Sequence, residues 1–221
     1  MSAREKKSSR SGGIRRLPQI FFDTFLVRNI VFVKMIGLCP IILAAVNLKY
    51  AVTLTVCAGV ALLPTALLMS LIGEKLKPVA RAPLYTLLAS LLLLVAAYVV
   101  DTYISPELYA ALYLFLPLMA VNTLVTYRAG GFAVTSKPLE ALADALGSTL
   151  GFGLVICVVA AIRELLAFGT VWEIRVLNEP LLPSAALPFA AFLMLAMLAA
   201  GFQFQKEMLR RFVEGEVTPD V

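Results

Sequence analysis

Residues 33–45 read VKMIGLCPIILAA, an apolar run interrupted by a lysine, a glycine and a Cys-Pro pair. Glycine weakens a helix, and proline inside one removes a hydrogen bond and clashes with the preceding turn. GLCP, Gly37 to Pro40, therefore predicts a broken helix, weakened at Gly37 and broken at Pro40. Backbone groups freed by a break at membrane depth must face protein or a cavity, because lipid cannot satisfy them. The break turns the sulfur of Cys39 toward the protein interior, where a thiolate, the form that ligates iron, would be stabilised by free N–H groups or a cation. The competing reading is a proline kink with a packed thiol. Lys34, deep in the same run, needs a partner inside the protein, whereas Arg28, nearer the end, can snorkel and Asp23 is poorly spaced to pair with it.

The rest of the chain says that this depth is membrane depth. Hydrophobic residues make up 61% of 221 and charged residues 15%, with a mean hydropathy of +0.91; a soluble domain carries about 25% charged residues. Histidine is absent, which excludes His-based general base catalysis, His-ligated zinc and His-held haem, and leaves chemistry carried by Cys, Asp or Glu. All three cysteines, Cys39, Cys57 and Cys157, lie in apolar segments, so no disulfide framework is expected, and Cys57 and Cys157 read as small buried hydrophobes.

Six stretches are apolar enough to approach the roughly 20 residues that a bilayer core requires: 19–46, 50–73, 83–104, 107–127, 142–168 and 184–205. With the N-terminus inside, one side receives Arg4, Lys6, Lys7, Arg10, Arg15, Arg16, Lys75, Lys77, Arg81, Arg128, Lys137, Lys206, Arg210 and Arg211. The other receives Lys49, together with Arg163 and Arg175 offset by Glu164, Glu173 and Glu179. The basic excess thus reports sidedness rather than a nucleic-acid partner, and both termini are expected in the cytoplasm. The domains expected are a basic, Ser/Gly-rich cytoplasmic tail over 1–18 without a signal-peptide cleavage site, a six-helix membrane domain over 19–206, and a cytoplasmic tail over 207–221.

The fourth stretch echoes the first. FLPLMAVNT, Phe115 to Thr123, again sets a proline, Pro117, close to polar residues, Asn122 and Thr123. With three spans per half, the second copy would enter the membrane upside down, as in an inverted-topology repeat with its site at paired helix breaks; coincidence in a Leu/Ala-rich chain is the alternative. Gly147, Gly151 and Gly153, with Ser148 and Thr149, form a small-residue face that permits close helix approach. Arg163 and Glu164 read as an interfacial ion pair closing the fifth span.

Three stretches together resemble a known family: FLVRNIVFVKMIGLCPI, FLPLMAVNTLVTYRAGGFA and LGFGLVICVVAAIRELLAFGT. They are similar to the signatures of the paired small membrane subunits of the Rnf and Nqr ion-translocating redox complexes, in order over about residues 20–205. The IRELLAFGTVWE and YRAGGFA runs and the cytoplasmic termini favour the RnfE/NqrD type, while FLVRNIVFVK is closer to the RnfA type. The resemblance implies an all-α inner-membrane protein of six transmembrane helices in two inverted three-helix repeats, broken in spans one and four. It implies a paired, oppositely oriented homologous subunit and further subunits of a redox complex. It also implies a shared [2Fe-2S] cluster, two cysteines from each partner, whose electron transfer is linked to Na+ or H+ movement. Such a subunit is not catalytic alone, and with no nucleotide-binding motif in this chain, flavin or NADH chemistry belongs elsewhere. Cys39 matches the first ligand position. Thr123 stands where the family has its second cysteine, and a threonine is a poor iron-sulfur ligand. Two other functions fit the same pattern: a small inverted-repeat transporter, with the Thr123 hydroxyl beside Asn122 coordinating a cation, and a scaffold subunit without a redox centre.

Overall fold

The computed structural model describes residues 17–22, 24–25, 31–32, 37–177 and 179–215, and of Lys206 and residues 209–215 the backbone alone. Lys34, Arg28, Asp23 and both expected tails beyond these limits lie outside the described residues.

The described residues are helical almost throughout. The short helices α1 (Leu17–Phe22) and α2 (Leu38–Leu43) lie ahead of the long α3 (Leu48–Ile72), which tightens into a 3-10 turn at Gly73–Lys75. Next come α4 (Pro78–Val99), widening into a π turn at Val100–Ile104, and the short α5 (Pro106–Leu112), α6 (Phe115–Leu118) and α7 (Thr123–Tyr127). A second π turn, Arg128–Phe132, leads through α8 (Ala133–Thr135) to the central α9 (Pro138–Phe168). A two-residue hairpin, β1 (Thr170–Val171) with β2 (Ile174–Arg175), and a 3-10 turn at Pro183–Ala186 connect α9 to α10 (Pro188–Gly215). Pro78, Pro106 and Pro138 open their helices, at a position where a missing N–H is harmless and the fixed φ is already helical.

Four helical segments are long and apolar enough to cross a membrane: Leu48–Lys75, Pro78–Ile104, Pro138–Phe168 and Pro188–Gln205. A pair bent by 55°, Pro106–Leu112 with Phe115–Thr135, makes a fifth if it is one broken span. The described residues thus contain four to five of the six expected spans; the first is described only in part. Helices α4 and α10 keep their large apolar side chains outward, among them Leu87, Leu91, Leu94, Phe189, Phe192 and Met197, the surface that lipid tails accept as readily as a protein core.

The core lies between α3 and α9, which run antiparallel, and the small residues of α9 are the reason they come so close. A Cβ on Gly153 would stand 2.4 Å from Thr55 Cγ2, and one on Gly59 of α3 would stand 3.1 Å from Thr149 Cγ2. On another side of α9, a Cβ on Gly147 would meet the Phe21 carbonyl oxygen of α1 at 2.8 Å. The small-residue face is thus used on two sides. Lys49 pairs with Glu173 at one end of the bundle, while at the other a Cβ on Gly73 would touch Val134 at 3.0 Å, so α3, α4 and α9 alternate in direction.

Neither proline breaks its helix in the way expected. Pro40 is third in α2 and Pro117 third in α6, positions whose N–H groups have no partner in any helix. The first break lies instead at Gly37, whose φ of 81° is left-handed, and the second follows α6 and ends at Asn122, which is extended (φ −60°, ψ 138°).

Candidate functional site

The two breaks meet. Gly37 precedes α2 and Asn122 precedes α7, so each stands at the start of a short helix. The Gly37 N–H donates to Thr123 Oγ1 at 3.0 Å, between residues 86 apart in sequence. The Thr123 hydroxyl donates in turn to Asn122 Oδ1 at 3.4 Å, which also accepts from the Leu124 N–H at 3.1 Å and so caps α7. Asn122 Nδ2 reaches Met119 Sδ at 3.3 Å. The two sequence echoes are therefore one junction, joined by the bond from Gly37 to Thr123.

Cys39 sits two residues beyond Gly37, and its side chain is exposed rather than turned inward. Thr123 is exposed as well, and lines a groove of about 550 Å³ with Arg81, Tyr85, Thr126, Tyr127 and Gly130. Gly130 is required for that shape, since a Cβ there would stand 2.7 Å from Tyr85 Cε1. Cys57 is buried in α3 and Cys157 half-buried in α9, both part of the helix packing.

The junction does not offer the two thiolates that an evenly shared [2Fe-2S] cluster needs. Such clusters are held by thiolates, with histidine as the nitrogen alternative. Here one position is the Cys39 thiol, and the other is a hydroxyl already accepting from Gly37 and donating to Asn122. Among the described residues no group of three or more His, Cys, Asp or Glu could hold a metal ion.

Arg163 and Glu164 do not pair with each other. Consecutive helix residues point about 100° apart and do not face one another, and each of these addresses backbone. Arg163 is 0% exposed. Its Nη1 donates to the carbonyls of Ile42 and Ala45 (3.0 Å each), its Nε to Ala185 (3.1 Å) and its Nη2 to Ala186 and Leu187 (2.8 and 3.5 Å). Glu164, 1% exposed, accepts from the N–H groups of Leu48 and Glu173 at 2.8 Å each and from the Thr170 hydroxyl at 3.1 Å.

A buried ion pair went unnoticed in the sequence. Asp144, 2% exposed, accepts from Arg128 Nη1 at 2.7 Å and from the Thr24 hydroxyl at 3.0 Å. The available signal was a carboxylate near the start of an apolar span, which by default asks for a partner. Arg128, counted as a loop cation, is 8% exposed in the π turn. Its Nε and the hydroxyls of Thr65, Ser148 and Thr149 have no partner among the described residues.

A family model described as "Rnf-Nqr subunit, membrane protein" matches residues 17–199. Similar curated proteins include the E-type subunit of the ion-translocating oxidoreductase complex of Shewanella sp. (strain MR-4), 29% identical over 209 residues that cover 86% of this chain and 88% of the relative. The protein of the same name from Buchnera aphidicola subsp. Baizongia pistaciae (strain Bp) is 29% identical over 206 residues, covering 86% and 85%. That of Shewanella sp. (strain ANA-3) is 31% identical over 141 residues, covering 64% and 60%.

Proposed function

The chain belongs to the Rnf-Nqr family of membrane subunits, and on that premise we propose that it serves as the E-type membrane subunit of an ion-translocating oxidoreductase complex. In this role it works with other subunits, carries electrons through the membrane region and helps couple them to Na+ or H+ movement. The observation that carries the reading from the structure is the junction of the two helix breaks at Gly37 and Thr123. Helix starts exposed at membrane depth cannot be left to lipid, so another membrane protein covers them; a paired homologous subunit is the proposed one.

Six spans in two inverted halves belong to the same proposal. Its support is the meeting of the breaks, the antiparallel packing of α3 on α9, which would be the second spans of the two halves, and the alternation of helix ends. The distribution of basic residues supports cytoplasmic termini in an inner membrane. A tail over 1–18, a membrane domain over 19–206 and a tail over 207–221 follow from these limits.

For the cofactor, the proposal is restricted by the residues. This chain offers Cys39 as its one thiolate at the junction, so an iron-sulfur cluster there would take its other ligands from the partner. The engagement of the Thr123 hydroxyl favours a second reading, a scaffold subunit that holds the junction without a redox group. Iron and acid-labile sulfide, with electron paramagnetic resonance after reduction, separate the two when the complex is purified through this chain as wild type and as Cys39→Ser. A signal lost on substitution supports the redox role; an intact complex with no such signal selects the scaffold. Solute uptake by the isolated chain in liposomes would overturn both in favour of a transporter.

A further inference from the structure

The adjacent residues Arg163 and Glu164 hold the two sides of one turn. Residues 44–47 connect α2 to α3. Arg163 takes the carbonyls of Ile42 and Ala45 on the α2 side, and Glu164 takes the Leu48 N–H at the start of α3. A helix leaves its last carbonyls and its first N–H groups without internal partners, and the helix dipole favours a cation at the first kind of end and an anion at the second. The order Arg-Glu along α9 supplies each end with the matching charge. The remaining donors of Arg163 bind the segment leading into α10, at Ala185, Ala186 and Leu187, and the remaining capacity of Glu164 binds the hairpin at Thr170 and Glu173.

Helix α2 has only six residues, Leu38 to Leu43. Its first turn carries Cys39 and its last turn is gripped by Arg163, so a shift at one end of so short a rod is a shift at the other. Arg163 is fully buried, and its bonds are all to backbone carbonyls. A buried cation is costly unless its donors are satisfied; five carbonyls from two segments of chain satisfy them. This uses the planar fork of arginine, which lysine does not have.

We propose that Arg163 and Glu164 are positioning residues for the junction: from α9 they fix the turn between α2 and α3, and through α2 they set where Cys39 stands. The inference rests on the proposed function only in taking Cys39 as the working group, and the position of Cys39 is read directly, so failure of electron transfer would not be mistaken for failure of the positioning.

The test uses the assembled complex in membranes, with Cys57→Ala and Cys157→Ala leaving Cys39 as this chain's sole thiol. A spin label on Cys39, and the rate at which Cys39 reacts with a small methanethiosulfonate reagent, are compared in the wild type, Arg163→Lys and Glu164→Gln. In Arg163→Lys the label gains mobility and the reaction rate shifts by about tenfold, the change that loss of one charge-assisted hydrogen bond makes in a local opening equilibrium. Glu164→Gln shifts both in the same direction by less. Lys49→Ala, which removes the exposed pair with Glu173 at the same end of the bundle, leaves both unchanged, as does Arg163→Lys for a reference label at Leu94→Cys on the outer face of α4. Unaltered mobility and reactivity of Cys39 in an assembled Arg163→Lys complex would overturn the proposal. Should that variant not assemble, hydrogen exchange in the wild type and in Glu164→Gln decides: the Leu48 amide exchanges about tenfold faster in the variant if Glu164 holds it, and equally in both if the proposal is wrong.

Discussion

The backbone N–H of Gly37 lies 3.0 Å from the hydroxyl oxygen of Thr123, and this bond ties the break in the first half of the chain to the break in the second. It gives one donor at the start of α2 a partner that the helix itself does not provide. A thiol at this position would be a weaker acceptor; the hydroxyl here makes the junction self-satisfying at that point.

Thr123→Val keeps the shape and removes the acceptor, leaving the Gly37 N–H without its partner. The expected loss is about 1–3 kcal/mol, the penalty for an unsatisfied buried donor, seen as a lower melting temperature of the purified complex. Thr123→Ser retains the oxygen and holds most of the stability. Equal melting temperatures for Val and Ser would mean that the bond contributes nothing.

Gly37→Ala tests the backbone apart from the bond. Space is available, since the nearest atoms to an added Cβ, Asn122 Oδ1 and two ring carbons of Phe152, are at 3.6 Å. The cost comes from φ of 81°, a left-handed conformation that L-residues adopt at about 1–2 kcal/mol. Gly37→Asn, which tolerates that region better, is expected to fall between glycine and alanine in melting temperature.

Much of this arrangement is legible from the sequence, and the reason lies in the solvent. Lipid demands long apolar helices, so the expected 50–73 and 142–168 lie within a few residues of Leu48–Lys75 and Pro138–Phe168. GLCP and FLPLMAVNT mark the breaks, although the residue responsible at the first is Gly37 rather than Pro40, because a proline in the first turn of a helix costs no hydrogen bond. The contacts of Arg163 and Glu164 are not legible. Opposite charges side by side suggest a pair, and no sequence pattern records which carbonyls a helix end leaves open. Asp144 was missed for a related reason: its partner lies 16 residues away, on a π turn that reads as a loop.

The Arg128–Asp144 pair is expected to be costly to break and inexpensive to replace. Asp144→Ala leaves Arg128 buried without its carboxylate, and removing one member of a buried pair costs about 3–5 kcal/mol. The double variant Arg128→Met, Asp144→Leu removes both charges and is expected to recover most of that loss, because apolar residues of similar volume often serve as well. Chemical unfolding of the two variants in the same detergent measures the difference. A double variant no more stable than Asp144→Ala would show that the pair does more than neutralise itself.

The approach of α3 to α9 depends on one missing methyl. In Gly153→Ala the new Cβ would stand 2.4 Å from Thr55 Cγ2 and 3.2 Å from Thr55 Oγ1, so the two central helices must separate or Thr55 must turn. Turning is opposed by the bond from Thr55 Oγ1 to the Ala51 carbonyl at 2.8 Å. Overpacking of this kind costs about 1–3 kcal/mol. Thr55→Ser removes Cγ2, the closer of the two atoms, and keeps the hydroxyl, so the double variant Gly153→Ala, Thr55→Ser is expected to regain most of the stability that Gly153→Ala loses. Gly131→Ala is the comparison, because nothing lies within 4 Å of a Cβ there, and it is expected to leave the stability within about 1 kcal/mol of the wild type. If the Thr55→Ser substitution gives no recovery, the strain in Gly153→Ala lies elsewhere than between these two side chains.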